Sequence, residues 1–473
     1  MVHSKHTRLR VAVGVAALAL GLSVAREGSA QVLPHEPTVD RLPNGLTVVT
    51  VPYDAPGIVA YFTLVRTGSR DEVEAGHSGF AHLFEHMMFR GTRQLPAREY
   101  EHRMQHMGAD NNAYTTEDYT LYTVTMPSAS LAELVPVEAD RFRSLYYAQQ
   151  DFQTETRAVF GEYNKNAASP VHQMWETLSE LAFTRHTYGH TTMGYLADIQ
   201  AMPRYYAYSQ QFFRRFYTPD NCAVIVAGDV DRARLVALAT EHYGPWNSHR
   251  ATPVIPPEPQ QSAPRARALA WEGTSPPRML LGYRVPGFSL DSADTAALEV
   301  VHALAFSESS DLYQQLVVRE SKLLGLESWP GEFHRDPGLF VVEATLGEHI
   351  THDEVSAAVT AELARIGRGE VPAERIADVI SHLRYRLPLS VQTPFDAAHT
   401  VARYMALTGE VMTYQRYHDR LSNVTADDVA RVARTFLTEA RRDVVTLSPA
   451  ASAPAGAVHA GPNRPAPRIR RTP

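Results

Sequence analysis

Two hydrophobic periods alternate along the chain, and they predict its elements. Leu42-Pro43-Asn44-Gly45-Leu46 reads as a hairpin turn, because Asn-Gly supplies the positive φ that a tight turn needs. Apolar runs at 46–51 and 59–66 then predict two strands. The period changes to a helical one around Ala81–Met87, again at 97–108 and at 128–147, with a strand-like segment from Asn112 to Tyr122 between the last two. A long helix holding Glu155 and Glu162 follows, and a helix near Phe216 and the wholly apolar strand 222–227 close this half. Beyond a proline-dense stretch the order recurs in weaker form. It runs strand 279–284, helix 291–305, strand 338–344, several helices and strand 443–447.

Phe216-Tyr217-Thr218 and Phe436-Leu437-Thr438 lie 220 residues apart at the same point of this order. The repeat implies duplication of one α+β unit. The predicted fold is therefore α+β, with two homologous α/β-layer halves, each a mixed or antiparallel sheet with helices, around a clamshell-type cleft. Pro253-Val-Ile-Pro-Pro-Glu-Pro-Gln-Gln-Ser-Ala-Pro264 marks the linker between them. The expected divisions are 1–30 as a leader, 31–246 as the first half, 247–265 as linker, 266–448 as the second half and 449–473 as a disordered tail.

The two ends refine this division. Lys5, Arg8 and Arg10 precede an apolar stretch from Val11 to about Val24, and Gly28-Ser29-Ala30 supplies small residues before Gln31. That is the layout of a secretory signal cleaved after Ala30, which predicts a periplasmic or secreted protein with no membrane span once the signal is removed. An uncleaved N-terminal anchor is the competing reading. From about Ser448 the chain is rich in Ala, Pro and Arg without an apolar period, hence the expected tail. Loss of residues 1–30 removes four Lys/Arg and one Glu, taking the net charge from −7 to −10. This acidity gives no reason to expect a nucleic-acid partner. Cys222 is the only cysteine, so no intramolecular disulfide can form, and its apolar strand predicts a core thiol.

Candidate chemistry is concentrated in Ala81-His82-Leu83-Phe84-Glu85-His86-Met87. His82 and His86 are four apart, so on a helix they share a face and can grip one zinc ion, while Glu85 stays free for proton transfer. The order inverts the commoner H-E-x-x-H. A catalytic zinc takes a third protein ligand and leaves its fourth position to water. Glu155 and Glu162, seven apart and so on one helical face, are the downstream candidates.

With these motifs the chain resembles the pitrilysin/insulinase family, an inverzincin group that includes the mitochondrial processing peptidases. Gly68-Ser69-Arg70-Asp71-Glu72, Phe89-Arg90-Gly91-Thr92, Asn112-Ala113-Tyr114-Thr115, His186-Thr-Tyr-Gly189-His190, Tyr217-Thr-Pro-Asp-Asn221 and Gly228-Asp229 also fit its pattern. The resemblance spans roughly 37–450 and is more specific in the first half. It implies that Glu162, 76 residues beyond His86, is the third ligand, and that Glu155 is the family's accessory Glu, orienting a ligand or its helix. It also implies that Asn112 and Ala113 lie on an edge strand that binds substrate main chain to main chain. The implied activity is peptide-bond hydrolysis with one Zn²⁺ per chain and Glu85 as general base.

Single-chain members carry an Arg and a Tyr, seven apart, in the second half. Here Val317 and Leu324 fall near those places, and Arg319 is followed seven residues later by Leu326. The missing pair implies a homologous partner subunit that supplies it. The alternative is a peptide-binding or scaffolding subunit that does not cut. A purely structural zinc protein is a third reading, but structural sites close all four positions, commonly with Cys, and this chain has a single cysteine. The second half has Ala296-Ala-Leu-Glu-Val-Val-His302 in place of the motif and so is expected to hold no metal. His102 and His106, also four apart, read as a polar helix face, and Trp175 and Trp329 as core or domain-contact residues.

Overall fold

The computed structural model describes residues 31–331 and 333–462, so the leader expected at 1–30 lies outside the described residues. The period-two runs form two six-stranded sheets. The first contains β1 (Thr38–Arg41), β2 (Thr47–Pro52), β3 (Ile58–Val65), β4 (Asp110–Thr115), β5 (Thr120–Pro127) and β6 (Cys222–Gly228), in the order β1-β2-β6-β3-β5-β4. The second contains β7 (Arg265–Trp271), β8 (Arg278–Arg284), β9 (Leu323–Trp329), β10 (Leu339–Leu346), β11 (Arg442–Pro449) and β12 (Val458–Ala460), in the order β12-β7-β11-β8-β10-β9. β2 runs parallel to β6, and β7 likewise to β11, while β3, β5 and β4, like β8, β10 and β9, pair antiparallel. The fold is thus α+β with a duplicated mixed-sheet unit, as the pattern predicts. The sheets differ at one edge, where β1 is antiparallel to β2 but β12 is parallel to β7.

The last of these strands corrects the expected tail. Ala460 is fully buried, β12 pairs with β7, and Gln173 donates to the Gly461 carbonyl at 3.0 Å. Val458 and Ala460 pack with Leu269, Trp271 and Leu447 while their backbone pairs with β7, but three residues are too few to carry a periodic signal. Residues 463–473 lie outside the described residues.

Each half lends a helix to the other. Helix Pro170–Ala182 of the first half packs on β7, β8 and β11, and helix Pro394–Thr408 of the second packs on β3 and β6. Their apolar faces, Met174, Leu178 and Leu181 in one and Ala397, Ala398, Val401 and Met405 in the other, are buried. Phe62 meets Phe395 at 5.0 Å, and Trp175 meets Trp329 at 5.2 Å, both edge to face. Both tryptophans therefore serve contact between the halves, with Trp329 still 40% exposed. Residues 247–264 carry neither helix nor strand.

Candidate metal centre

Helix Phe80–Met87 begins after Gly79, whose φ of 88° suits glycine and whose missing Cβ would meet the Met193 carbonyl oxygen at 2.7 Å. Its first amides are capped from a distance. The Glu72 carboxylate, itself buried, accepts from Gly79 N–H at 2.7 Å and Ala81 N–H at 2.6 Å. In its ionised form this carboxylate complements the helix dipole. Burial pushes the Glu72 pKa up to about 8, against the lowering effect of these two hydrogen bonds. Phe80, Leu83, Phe84 and Met87 are fully buried, which turns Glu85 and His86 outward, while His82 stays largely buried beside them.

They face β4 and helix Gln149–Ala167. Glu162 Oε2 lies 3.6 Å from His82 Nε2 and 3.5 Å from His86 Nε2, and one donor atom from each of the three residues fits within 4.8 Å of the others. A tetrahedral zinc with bonds of about 2.0–2.1 Å sets its donors about 3.4 Å apart, so two imidazoles and a carboxylate at these distances fit the ion. Charge fits as well. Of Glu85, Glu155 and Glu162, only Glu155 has a described Arg or Lys partner, Arg90, which leaves two negative charges for a dication to balance. Burial, then the neighbouring His86, pulls the His82 pKa down to about 4, so this ring is neutral and available as a donor.

Around the triad stand groups that hold it. Glu155, 6% exposed, has Oε2 3.4 Å from His86 Nδ1, and its other oxygen is bound by Arg90. A carboxylate on Nδ1 fixes the tautomer that leaves Nε2 facing Glu162. Glu85 is raised above the usual carboxylate range by burial, partly offset by the Thr115 hydroxyl, which donates to its Oε2 at 2.8 Å. Arg90, Thr115 and Glu72 were given no role by sequence reasoning, although each lies in a matched motif. The signal that could have found them is their place one helical turn or one strand away from the His pair.

β4 forms the edge of its sheet, so one side of Asn112 and Ala113 has no strand partner among the described residues. The Asn112 side-chain oxygen accepts from Ala113 N–H at 2.9 Å. Tyr114 on the same strand reaches His399 Nε2 of the second half at 3.0 Å. Val317 is half-buried, Leu324 is 65% exposed on β9, and Leu326 is buried. His102 and His106 are exposed, and His82, His86 and Glu162 form the only metal-competent cluster among the described residues. Cys222 is buried at the start of β6, and burial pushes its thiol pKa well up.

Residues 49–195 match the insulinase (peptidase family M16) profile, and residues 207–383 match the peptidase M16 inactive domain. The zinc protease PqqE of Helicobacter pylori is 24% identical over 450 residues, covering 94% of this chain and 100% of that one. The mitochondrial-processing peptidase subunit beta of Blastocladiella emersonii is 26% identical, covering 93% and 95%. The crystal structure of a protease from H. pylori superimposes with a TM-score of 0.81 at 25% identity, covering 88% of this chain and 99% of that one. The two-halved fold, the inverted motif and these matches agree: the chain belongs to the insulinase (M16) family of peptidases.

Proposed function

We propose that the protein is a zinc-dependent endopeptidase acting on peptides or unfolded polypeptides, and the catalytic subunit of a two-chain enzyme. The observation that carries this reading is the convergence of His82, His86 and Glu162 with Glu85 on the same helical face. His82, His86 and Glu162 would hold the ion, one per chain. When bound, zinc supplies a Lewis acid that brings water towards a pKa of about 7 and polarises a peptide carbonyl.

The chain's own residues do the rest. Glu85 takes a proton from water on its carboxylate and returns it to the departing amine nitrogen. Its raised pKa favours the return step, and the Thr115 hydroxyl keeps the carboxylate aimed. Glu155, steadied by Arg90, orients His86. An extended substrate would add to β4 beside Asn112 and Ala113, displacing the Asn112 side chain from Ala113 N–H. Main-chain pairing fixes register without requiring one sequence.

Val317 and Leu324 offer neither a cation nor a phenol, which favours a homologous partner supplying an Arg/Tyr pair, and also favours the second reading of a peptide-binding subunit. We further read residues 1–30 as a signal that exports the chain to the periplasm or beyond. Among the described residues no helix is long and apolar enough to cross a membrane. Hydrolysis of a quenched fluorescent peptide by residues 31–473 tests the main reading. Cleavage abolished by a chelator and by Glu85→Gln supports the peptidase, and dependence on an added homologous chain supports the split site. Bound zinc without cleavage under any of these conditions favours the binding subunit.

A further inference from the structure

The linker closes one side of a cavity of about 430 Å³ that both halves also line. Pro253, Ile255 and Pro257 give it an apolar, stiff wall. The charged groups around it are unevenly matched. Asp336 already accepts from Arg70 Nε at 2.5 Å and lies 2.9 Å from His186 Nε2. Glu258 is held by the backbone amides of Thr184, Arg185 and His186 at 2.7–3.0 Å and by the Thr184 hydroxyl at 2.8 Å.

Arg284 and Arg441 have no such partner. No described carboxylate forms an ion pair with either of them. Arg284 is 9% exposed, its guanidinium lies 4.3 Å over the Phe183 ring, one nitrogen donates to the Ala182 carbonyl, and its buried Nε has no hydrogen-bond partner. Burial pulls its pKa below the usual guanidinium value, although Glu258 and Asp443 stand near enough to oppose this. Arg441 rests 5.6 Å over Phe436. Three guanidiniums against two carboxylates leave one positive charge in a half-enclosed space with one apolar wall.

We propose that this cavity binds a monoanion with an apolar body, its carboxylate on Arg284 and Arg441 and its hydrocarbon part against Pro253, Ile255 and Pro257. A planar carboxylate matches the guanidinium fork, and the volume suits a small ligand. The site lies at the linker and does not depend on the chemistry of the His82–His86–Glu162 triad. Its ligand bridges both halves and the segment that joins them, so binding stabilises their packing by mass action.

Two sources share this chemistry, a free peptide carboxyl terminus and a fatty acid. Calorimetric titration of residues 31–473 with N-acetyl-leucine, with octanoate and with N-acetyl-leucinamide separates them. At least one acid is expected to bind and the neutral amide not to, and the tighter acid identifies the source. Arg284→Met and Arg441→Gln should each weaken that acid at least about tenfold. Arg441 is the less buried of the two, so its variant keeps the test open should Arg284→Met fail to fold, as a melting curve would reveal. Absence of binding by both acids, equal binding of the amide, or unchanged affinity in a folded variant overturns the proposal.

Discussion

Helix Phe80–Met87 and helix Asp294–Phe306 occupy equivalent places. Each packs beside the edge strand of its own sheet, β4 or β9, and against a long helix of its own half, Gln149–Ala167 or Ala373–Ser390. In the first half the long helix contributes Glu155 and Glu162, facing two imidazoles and Glu85. In the second it contributes Arg386, which pairs with Glu299, while Tyr417 donates to the other oxygen of Glu299 at 2.5 Å. The edge strands differ in the same sense, since Thr115 donates to Glu85 whereas Ser328 meets His302 Nδ1 at 2.6 Å. One scaffold thus carries two solutions to a buried carboxylate. The second half brings its own cation on a side chain, and the first leaves a deficit of two charges that a dication can fill.

The largest effects should come from removing what only the first half has. Glu162→Ala should lower the zinc content from one per chain to near zero, read by metal analysis after dialysis, because two imidazoles alone leave the site short of a donor. Glu85→Gln should keep the zinc and lose about 10²–10⁴-fold in peptide hydrolysis. Loss of zinc in Glu85→Gln would show that this carboxylate belongs to the ligand set and would undo its assignment as base. Next in size are the groups that hold His86. Glu155→Gln and Arg90→Met should each weaken zinc binding about 10- to 100-fold in competition with a chelator.

How far the sequence reveals this site depends on where each residue's constraint comes from. His82, Glu85 and His86 are legible because a helical period of 3.6 fixes their common face. The third ligand is not, since spacing alone offers Glu155 and Glu162 equally, and only the family resemblance singles out Glu162. In sequence Glu155 reads nearly as well as a solvated helix charge, yet it is 6% exposed and tied to Arg90, a contact made by the fold rather than by any local pattern. The exchange of helices Pro170–Ala182 and Pro394–Thr408 is hidden for the same reason. An apolar face announces that it will be covered but not by which sheet. β12 escaped because pairing of three residues leaves no period to read.

The second half gives the converse test. Arg386→Met should leave zinc content and hydrolysis unchanged, because no metal site depends on it, while isolating Glu299, which is 6% exposed. The expected cost is about 2 kcal/mol in denaturant unfolding, below the 3–5 kcal/mol typical of fully buried pairs because Arg386 itself is 54% exposed. A change in zinc affinity would mean that the two equivalent sites are coupled.

The smallest effect lies at the seam, where Arg335 and Asp336 of the second half dock on the first. Arg335 N–H donates to Asp118 at 3.1 Å, Asp336 N–H to the Tyr188 hydroxyl at 3.3 Å, and Arg70 and His186 bind the Asp336 carboxylate. Burial alone would raise the Asp336 pKa, but hydrogen bonds from His186 and Arg70 and their charges hold it well below the usual carboxylate range. A carboxylate depressed in the folded state adds stability that is fully present above its unfolded pKa of about 3.9 and is lost as pH falls towards the folded value. Asp336→Asn should therefore cost about 1.5 kcal/mol at pH 7. The gap between wild type and variant should shrink by up to about 1.4 kcal/mol per pH unit below pH 4, because there the unfolded wild-type chain takes up a proton at Asp336 while the folded carboxylate stays ionised. Parallel unfolding curves at pH 7, 4 and 3 measure that gap. A gap that stays constant to pH 3 would mean that Asp336 holds the halves together by shape alone, and that charge distinguishes the two halves only at their helices.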